Sequence, residues 1–229
     1  MMKIWYQSDA PIGFDPLWKV YERSLRKHID EVKLPNTVVD LHGVDHKNSE
    51  VEPQDKKPMH HQIINNALVA QKSNYDVFAV GCTLDPGRSE IRKLINIPSA
   101  FIGESSMVHA CALGRKVSIV ARTGEVIPKF EENIRDYGVH QNISEIGHLS
   151  LTLNQLVVAF NNPKPVVEEF LKESKRLIQK GAEVILPGCG VLNIILTKNR
   201  VDRIDHVVIV DTTAVLIKTA EFLGILRKG

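Results

Sequence analysis

Short apolar runs alternate with helix-like segments along this chain of 229 residues, and the alternation limits the folds that it can adopt. Strand-like runs lie at residues 3–6, 37–41, 76–80, 99–102, 116–121, 184–186 and 206–210. Apolar residues have helical spacing over residues 17–32, 60–72, 89–94, 107–113, 126–137, 163–180 and 214–226. Strands that alternate with helices are typical of parallel sheets, because a helix is the usual crossover between parallel strands. The sequence therefore predicts an α/β fold with parallel sheets.

Composition narrows the functional classes. Hydrophobic residues make up 43% and charged residues 24% of the chain, as in an ordinary soluble globular protein. The formal net charge is +2 and no basic cluster contains interleaved aromatic residues, so we expect no nucleic-acid partner. No apolar run approaches the ~20 residues of a membrane span, and the N-terminus lacks the apolar core of a signal peptide. The three cysteines, an odd number, argue against a disulfide framework, so we expect a cytoplasmic protein with reduced thiols.

Two cysteines follow glycine at the end of a strand-like run. Cys82 comes after residues 76–80 and Gly81, and Cys189 comes after residues 182–186 and Gly188. In an open parallel sheet, the carboxyl ends of the strands are where ligands bind. An acidic residue follows each cysteine after 22 positions, Glu104 in one case and Asp211 in the other. This spacing indicates either a diverged repeat, with two similar lobes and one cysteine from each facing a cleft, or a coincidence between two generic strand–helix units.

The placement of the two thiols favours proton transfer at carbon. A helix N-terminus beside a thiol lowers its pKa, so we expect a reactive pair. One sulfur as thiolate would remove a proton next to a carbonyl group, and the other as thiol would return a proton to the opposite face. The backbone N–H groups of Thr83 and Gly190 are expected to stabilise the enolate-like anion. The third cysteine, Cys111, lies within a helix-like segment among small apolar residues, and we assign it to packing.

Several further residues have alternative roles. Thr123, at the end of a strand-like run, is expected to contact a substrate anion, with a helix cap as the alternative. Glu104 and Asp211 either orient the site or cap the helices that follow them, and capping or support is the preferred interpretation. Arg88 either meets a substrate anion or is solvated at the start of a helix.

Residues 42–58 form a polar stretch that is a candidate lid or binding loop. His42 and His46 have HxxxH spacing, and His60 and His61 follow. Histidines of a polar loop are more often solvated than bound to metal, so we expect no metal site. No glycine-rich dinucleotide motif follows the first strand, and no phosphate-binding loop is present.

At these residues the chain resembles the aspartate/glutamate/hydantoin racemase superfamily, and within it the hydantoin and allantoin racemase branch. The similar segments are residues 81–87, 102–109, 120–123 with the helix to 138, 188–190 and 211–212. The resemblance implies two Rossmann-like lobes related by a pseudo-two-fold, with the C-terminal helix packed on the first lobe. It also implies that no cofactor is used. We place the first lobe at residues 1–98 plus 208–229, with Cys82, and the second lobe at residues 99–207, with Cys189.

The turn after the first strand departs from that branch. The branch usually has an Asn-Pro-Asn-Thr-like turn there, whereas this chain reads Tyr6-Gln7-Ser8-Asp9-Ala10-Pro11. Because the turn lines the substrate pocket in the family, the resemblance implies that Tyr6, Gln7 and Ser8 contact the distal group of a substrate.

The sequence thus predicts a racemase or epimerase, independent of pyridoxal phosphate, that inverts an acidic carbon of a hydantoin, a ureide or an amino acid. The expected partner is a small-molecule substrate, and a homo-oligomer is possible. Two alternatives stay open. One is a non-catalytic binding protein for a small ligand, and the other is a related isomerase or decarboxylase, although the decarboxylases generally use one active cysteine.

Overall fold

The structure is a computed structural model that describes residues 1–45 and 57–228. The strands are β1 (Met2–Gln7), β2 (Thr37–His42), β3 (Val77–Val80), β4 (Ser99–Phe101), β5 (Val117–Ala121), β6 (Ile143–His148), β7 (Val184–Pro187), β8 (Arg203–Ile204) and β9 (Val207–Ile209). The helices are α1 (Lys19–Val32), α2 (Lys57–Lys72), α3 (Arg88–Leu94), α4 (Ile102–Leu113), α5 (Ile127–Asp136), α6 (Leu153–Val158), α7 (Lys164–Gln179), α8 (Gly190–Lys198) and α9 (Thr212–Lys228). Short 3-10 helices precede α1, at Pro16–Trp18, and α5, at Gly124–Val126.

The chain divides into two compact units. The first contains residues 1–102 and 216–229, and its parallel sheet has the strand order β2-β1-β3-β4. Strand β3 is buried at all four positions, so its sequence is a continuous apolar run and does not alternate between apolar and polar residues. An apolar core of this unit joins Trp5 and Phe78 of the sheet to Ile63 and Ala67 of α2.

The second unit contains residues 103–215, and its sheet has the order β6-β5-β7-β9-β8. All pairs are parallel except β8 with β9, which is antiparallel. Strands β5 and β7 are buried at every position and form the centre of this unit. The α/β class and the parallel sheets are therefore confirmed.

The expected lobe boundaries differ from the observed units. We expected residue 99 to begin the second lobe, but β4 hydrogen-bonds to β3 and belongs to the first sheet. We also expected the first lobe to resume at residue 208, but β9 pairs with β7 in the second sheet. The C-terminal helix does return to the first unit, where Gly224 lies against Met2 and Val77. None of the helices within the described ranges is long and apolar enough to cross a membrane.

Candidate active site

Cys82 follows β3, one of the two interior strands, at the carboxyl edge of the first sheet. The Gly81 N–H donates to the Gln7 carbonyl at 2.8 Å, which continues the β1–β3 pairing up to the cysteine. Glycine is required at position 81 because any Cβ there would overlap the ring and hydroxyl of Tyr6. The Asp85 N–H donates to the Cys82 carbonyl at 2.9 Å and closes a turn before α3. Cys82 is thereby held between the strand end and a helix start, as the sequence predicted.

The Cys82 thiol has a pKa well above its ordinary value. Removal from water is the largest cause, although the residue keeps part of its surface exposed. The carboxylate of Asp9 adds to the rise in pKa through its charge and a hydrogen bond with the thiol, and Asp85 adds through its charge. A backbone hydrogen bond from Leu84 acts in the opposite direction. The expectation of a lowered pKa was therefore wrong for Cys82, because burial and two carboxylates outweigh the backbone donor.

Cys189 occupies the equivalent place in the second unit. It is buried and forms the N-cap of α8, whose first residue is Gly190. The Gly188 N–H donates to the Val120 carbonyl at 2.8 Å, and a Cβ on Gly188 would lie 3.1 Å from the Cα atom of Ala121. The first N–H groups of a helix have no acceptor within it and favour negative charge nearby. The start of α8 therefore favours negative charge at Cys189, while the burial of the residue opposes it.

A buried asparagine, Asn193, joins the start of α8 to the start of α9. Its side-chain oxygen accepts from the Thr212 N–H at 3.1 Å, and its amide donates to Asp211 at 3.0 Å and to Thr213 at 3.1 Å. Asp211 also accepts from the Ala214 N–H at 3.0 Å and so caps α9. The preferred capping role of Asp211 is thus confirmed. Asn193 was missed in the sequence because its partners are not its neighbours in the chain.

Thr123 lies two residues beyond the end of β5. It precedes the 3-10 helix Gly124–Val126 but makes no side-chain capping hydrogen bond there. Its hydroxyl oxygen is buried and has no hydrogen-bond partner within the described residues. The alternative role of a plain helix cap is therefore excluded for the Thr123 hydroxyl. Thr83, next to Cys82, is buried as well.

Tyr6, Gln7 and Ser8 are fully buried. The Gln7 amide is engaged by protein atoms on both its oxygen and its nitrogen, and the Ser8 hydroxyl accepts from the Ala10 N–H at 3.0 Å. These contacts show a structural use of the turn that the sequence did not indicate. Asp9, which was not among the expected site residues, is the side chain of this turn that contacts Cys82. The only sign of this contact in the sequence is that Asp9 places a carboxylate in the turn after β1.

His42, at the start of the polar stretch, and His60, after its end, have separate surroundings. The His42 ring stacks on Trp5 with centroids 3.4 Å apart, and burial lowers the pKa of His42 while Asp40 opposes that shift. His60 lies 3.4 Å from a Glu90 carboxylate oxygen. His46 and most of the polar stretch lie outside the described residues. Within residues 1–45 and 57–228, no cluster of three or more His, Cys, Asp or Glu side chains is placed to hold a metal ion.

Cys111 lies within α4, and its thiol donates to the Met107 carbonyl one turn earlier, at 3.1 Å. This is a local contact inside a helix. Its surroundings therefore differ from those of Cys82 and Cys189, which both sit where a strand has ended and a helix is about to begin.

Comparison with known proteins agrees with this architecture. The family model described as Asp/Glu/Hydantoin racemase matches residues 18–220. The hydantoin racemase of Pseudomonas sp. strain NS671 is 27% identical over 130 residues, which are 56% of this chain and 51% of that protein. The match therefore spans about half the length of that relative.

Solved structures share the fold over nearly the whole chain. An allantoin racemase from Klebsiella pneumoniae has a TM-score of 0.82 and 18% identity, covering 99% of this chain and 89% of that one. An allantoin racemase from Pseudomonas fluorescens has a TM-score of 0.76 and 18% identity, covering 99% of this chain and 92% of that one. The family model covers well over half of the sequence, and the chain therefore belongs to the Asp/Glu/hydantoin racemase family.

Proposed function

We propose that this protein is a cofactor-independent racemase or epimerase that inverts an acidic carbon with two cysteine bases, Cys82 and Cys189. One observation carries the proposal. Each unit has a Gly-Cys pair at the carboxyl end of an interior parallel strand, β3 in one and β7 in the other, directly before a turn or helix start. A merely structural cysteine has no reason to recur at the same place in both sheets.

The surroundings of the two thiols suggest different resting roles. Cys82 is held protonated by burial, Asp9 and Asp85, so it is the acid in one direction of the reaction. Cys189, at the start of α8, is the base in that direction. The Cys189 thiolate takes the proton from the substrate carbon, and an enolate-like anion forms. The Cys82 thiol then gives its proton to the opposite face, which leaves a Cys82 thiolate and a Cys189 thiol. The mechanism requires both sulfurs to reach the same carbon.

The anion that forms between the two proton transfers needs hydrogen-bond donors. The backbone N–H groups of Thr83 and Gly190 and the hydroxyl of Thr123 are the donors that we assign to it or to the substrate's own polar groups. Backbone donors are suited to this role because the fold holds them in place before the reaction begins.

We propose a hydantoin or a ureide as the substrate class, ahead of an amino acid. The support is that one matching relative is a hydantoin racemase and that two of the structures with the same fold are allantoin racemases. Both names denote compounds with a carbon next to a carbonyl group, where removal of a proton gives a delocalised anion. That chemistry suits a pair of thiols and needs no cofactor.

Exchange of the α-proton in heavy water tests the proposal. Single enantiomers of hydantoins, ureides and amino acids are incubated with wild type, Cys82→Ser, Cys189→Ser and the control Cys111→Ser, and the α-proton signal is followed by NMR. We expect wild type and Cys111→Ser to racemise and exchange both enantiomers. Each of the other two variants should lose racemisation and keep exchange with at most one enantiomer, because one base remains.

Two outcomes contradict the proposal. Racemisation near the wild-type rate in either Cys82→Ser or Cys189→Ser would exclude the two-thiol mechanism. Binding of a ligand by wild type, without exchange of its α-proton, would support a non-catalytic binding protein instead. Circular dichroism of every variant separates loss of chemistry from loss of fold.

A further inference from the structure

The Gln7 side chain, at the end of β1, makes five hydrogen bonds with protein groups. Its oxygen accepts from the Trp5 indole N–H at 3.0 Å and from the Asn66 amide at 2.9 Å. Its nitrogen donates to the carbonyl oxygens of Ser8 at 2.9 Å, Gly43 at 3.2 Å and His42 at 3.4 Å. Gln7 is completely buried, so protein groups take up the whole amide and no face of it is left for a substrate.

The chemistry of these partners allows one orientation of the Gln7 amide. The indole N–H of Trp5 can only donate, so the Gln7 oxygen must face it. The three backbone carbonyl groups can only accept, so the Gln7 nitrogen must face them. A flipped amide would place oxygen against oxygen and leave buried donors unpaired. Gln7 is therefore held rigidly by groups from β1, from α2 and from the segment after β2.

This amide is adjacent to the part of the chain that carries Asp9. The Ser8 N–H donates to the His42 carbonyl at 2.8 Å, and the Val44 N–H donates to the Ala10 carbonyl at 3.2 Å. These bonds and the Gln7 amide tie the turn after β1 to the segment after β2. On the other side, the Gln7 carbonyl accepts from Gly81, the residue before Cys82. Gln7 is thus the shared link between the turn that bears Asp9 and the strand end that bears Cys82.

We propose that Gln7 is a positioning residue whose amide, oriented by Trp5 and Asn66, holds the Asp9 carboxylate against the Cys82 thiol. In this role Gln7 touches no substrate. It acts through Asp9, which makes a hydrogen bond with the thiol and, after burial, adds most to its raised pKa. The inference rests on the proposed function for its effect on turnover, but its effect on the thiol itself does not depend on the identity of the reaction.

Substitution of Asn66 tests the positioning role of Gln7. Its neighbour on α2, Asn65, is exposed and therefore provides a matched control position. Asn66→Ala removes one hydrogen bond from the Gln7 oxygen, and Trp5→Phe removes the other while keeping an aromatic ring in the core. Gln7→Met has a similar length and removes every hydrogen bond of the amide. Asn65→Ala is the matched control. Each protein is treated briefly with iodoacetamide across a range of pH, and the Cys82 peptide is quantified by mass spectrometry.

We expect Gln7→Met, Trp5→Phe and Asn66→Ala to shift alkylation of Cys82 to lower pH. For Gln7→Met the shift should be about one pH unit, because a nearby carboxylate changes a pKa by about that much or more. The sign follows from Asp9, which raises the thiol pKa while it is in place. With a substrate that wild type racemises, Gln7→Met should also reduce kcat about tenfold to a hundredfold with little change in KM. Asn65→Ala should match wild type in both measurements.

An unchanged Cys82 alkylation profile in Asn66→Ala and Trp5→Phe, alongside a lower melting temperature, would overturn the proposal, because Gln7 would then only support the fold. If Gln7→Met fails to fold, those two variants decide the question. If wild type racemises no substrate, the proposed function fails but the alkylation profile still tests the positioning role of Gln7.

Discussion

Asp9 is the residue whose charge most directly controls Cys82 after burial itself. In Asp9→Asn the side chain keeps its shape but loses its charge, so the pKa of Cys82 should fall toward the ordinary thiol value. The thiolate fraction near neutral pH, and with it the alkylation rate of Cys82, should rise about tenfold for each unit of that fall. Peptide mapping after a short exposure to iodoacetamide measures the rate.

The control for this change is Asp30→Asn on α1, where the carboxylate is 60% exposed and pairs with Lys33. It removes the same charge from the chain without changing the surroundings of Cys82. Equal alkylation of Cys82 in Asp9→Asn and wild type would mean that burial and Asp85 account for the raised pKa without Asp9. The same result would leave Cys82 in the resting role of acid, but it would remove Asp9 from the explanation of that role.

At the scale of elements, the contact between α8 and the start of α9 depends on Asn193. Asn193→Ala would leave the buried Thr212 N–H without its acceptor and Asp211 without one donor. An unpaired buried polar group costs about 1–3 kcal/mol, so the free energy of unfolding of the second unit should fall by that amount. Hydrogen exchange of peptides from residues 189–199, with urea denaturation, measures the change.

A second asparagine of the same region provides the comparison. Asn199, the C-cap of α8, donates through its side chain to the Ile195 carbonyl at 2.7 Å, and this hydrogen bond stays within α8. Asn199→Ala should therefore leave exchange at the start of α8 unchanged. Equal loss of protection at residues 189–193 in both variants would show that Asn193 contributes only to the helix and does not fix its start.

Elements with a clear apolar pattern were predictable from the sequence, and elements without one were not. The amphipathic helices α1, α5 and α7 and the buried strands β3, β5 and β7 agree with the expected positions within a few residues. Strand β6 was missed because it lies at the edge of its sheet and carries polar residues. Helix α8 was missed because it is buried on almost every side, which removes the alternation that marks an amphipathic helix.

The candidate site was predictable in outline. The Gly-Cys pairs marked the carboxyl ends of β3 and β7, because apolar runs that end in glycine are visible in the sequence. The raised pKa of Cys82 was not predictable, since it depends on burial and on Asp9, which is distant in the chain. The hydrogen bonding of the buried Gln7 side chain was not predictable for a similar reason, because its partner Asn66 lies on another element, α2. Sequence patterns show where elements end but not which side chains meet there.

At the scale of the whole molecule, the chain completes its first unit with its last residues. Leu216, Ile217 and Ala220 of α9 are fully buried in that unit. Glu221, which is 2% exposed, accepts from the Leu34 N–H at 2.6 Å and from Lys218 at 3.0 Å. The first unit therefore lacks part of its core until residues 216–228 are in place, whereas the second unit contains its own sheet without them.

We expect Glu221→Ala to destabilise the first unit by about 1–3 kcal/mol, because it leaves the Leu34 N–H unpaired and a cavity in the core. Phe222→Ala is the control, since that side chain is 59% exposed on the same helix and its loss should change the free energy of unfolding by less than about 0.5 kcal/mol. Hydrogen exchange resolved by peptide distinguishes the units. In Glu221→Ala, protection of backbone amides from hydrogen exchange should fall in β1, α1 and β3, while β5 and β7 should stay protected. Loss of protection in β5 and β7 to the same extent would mean that the two units unfold together, and that α9 stabilises the molecule as one cooperative body.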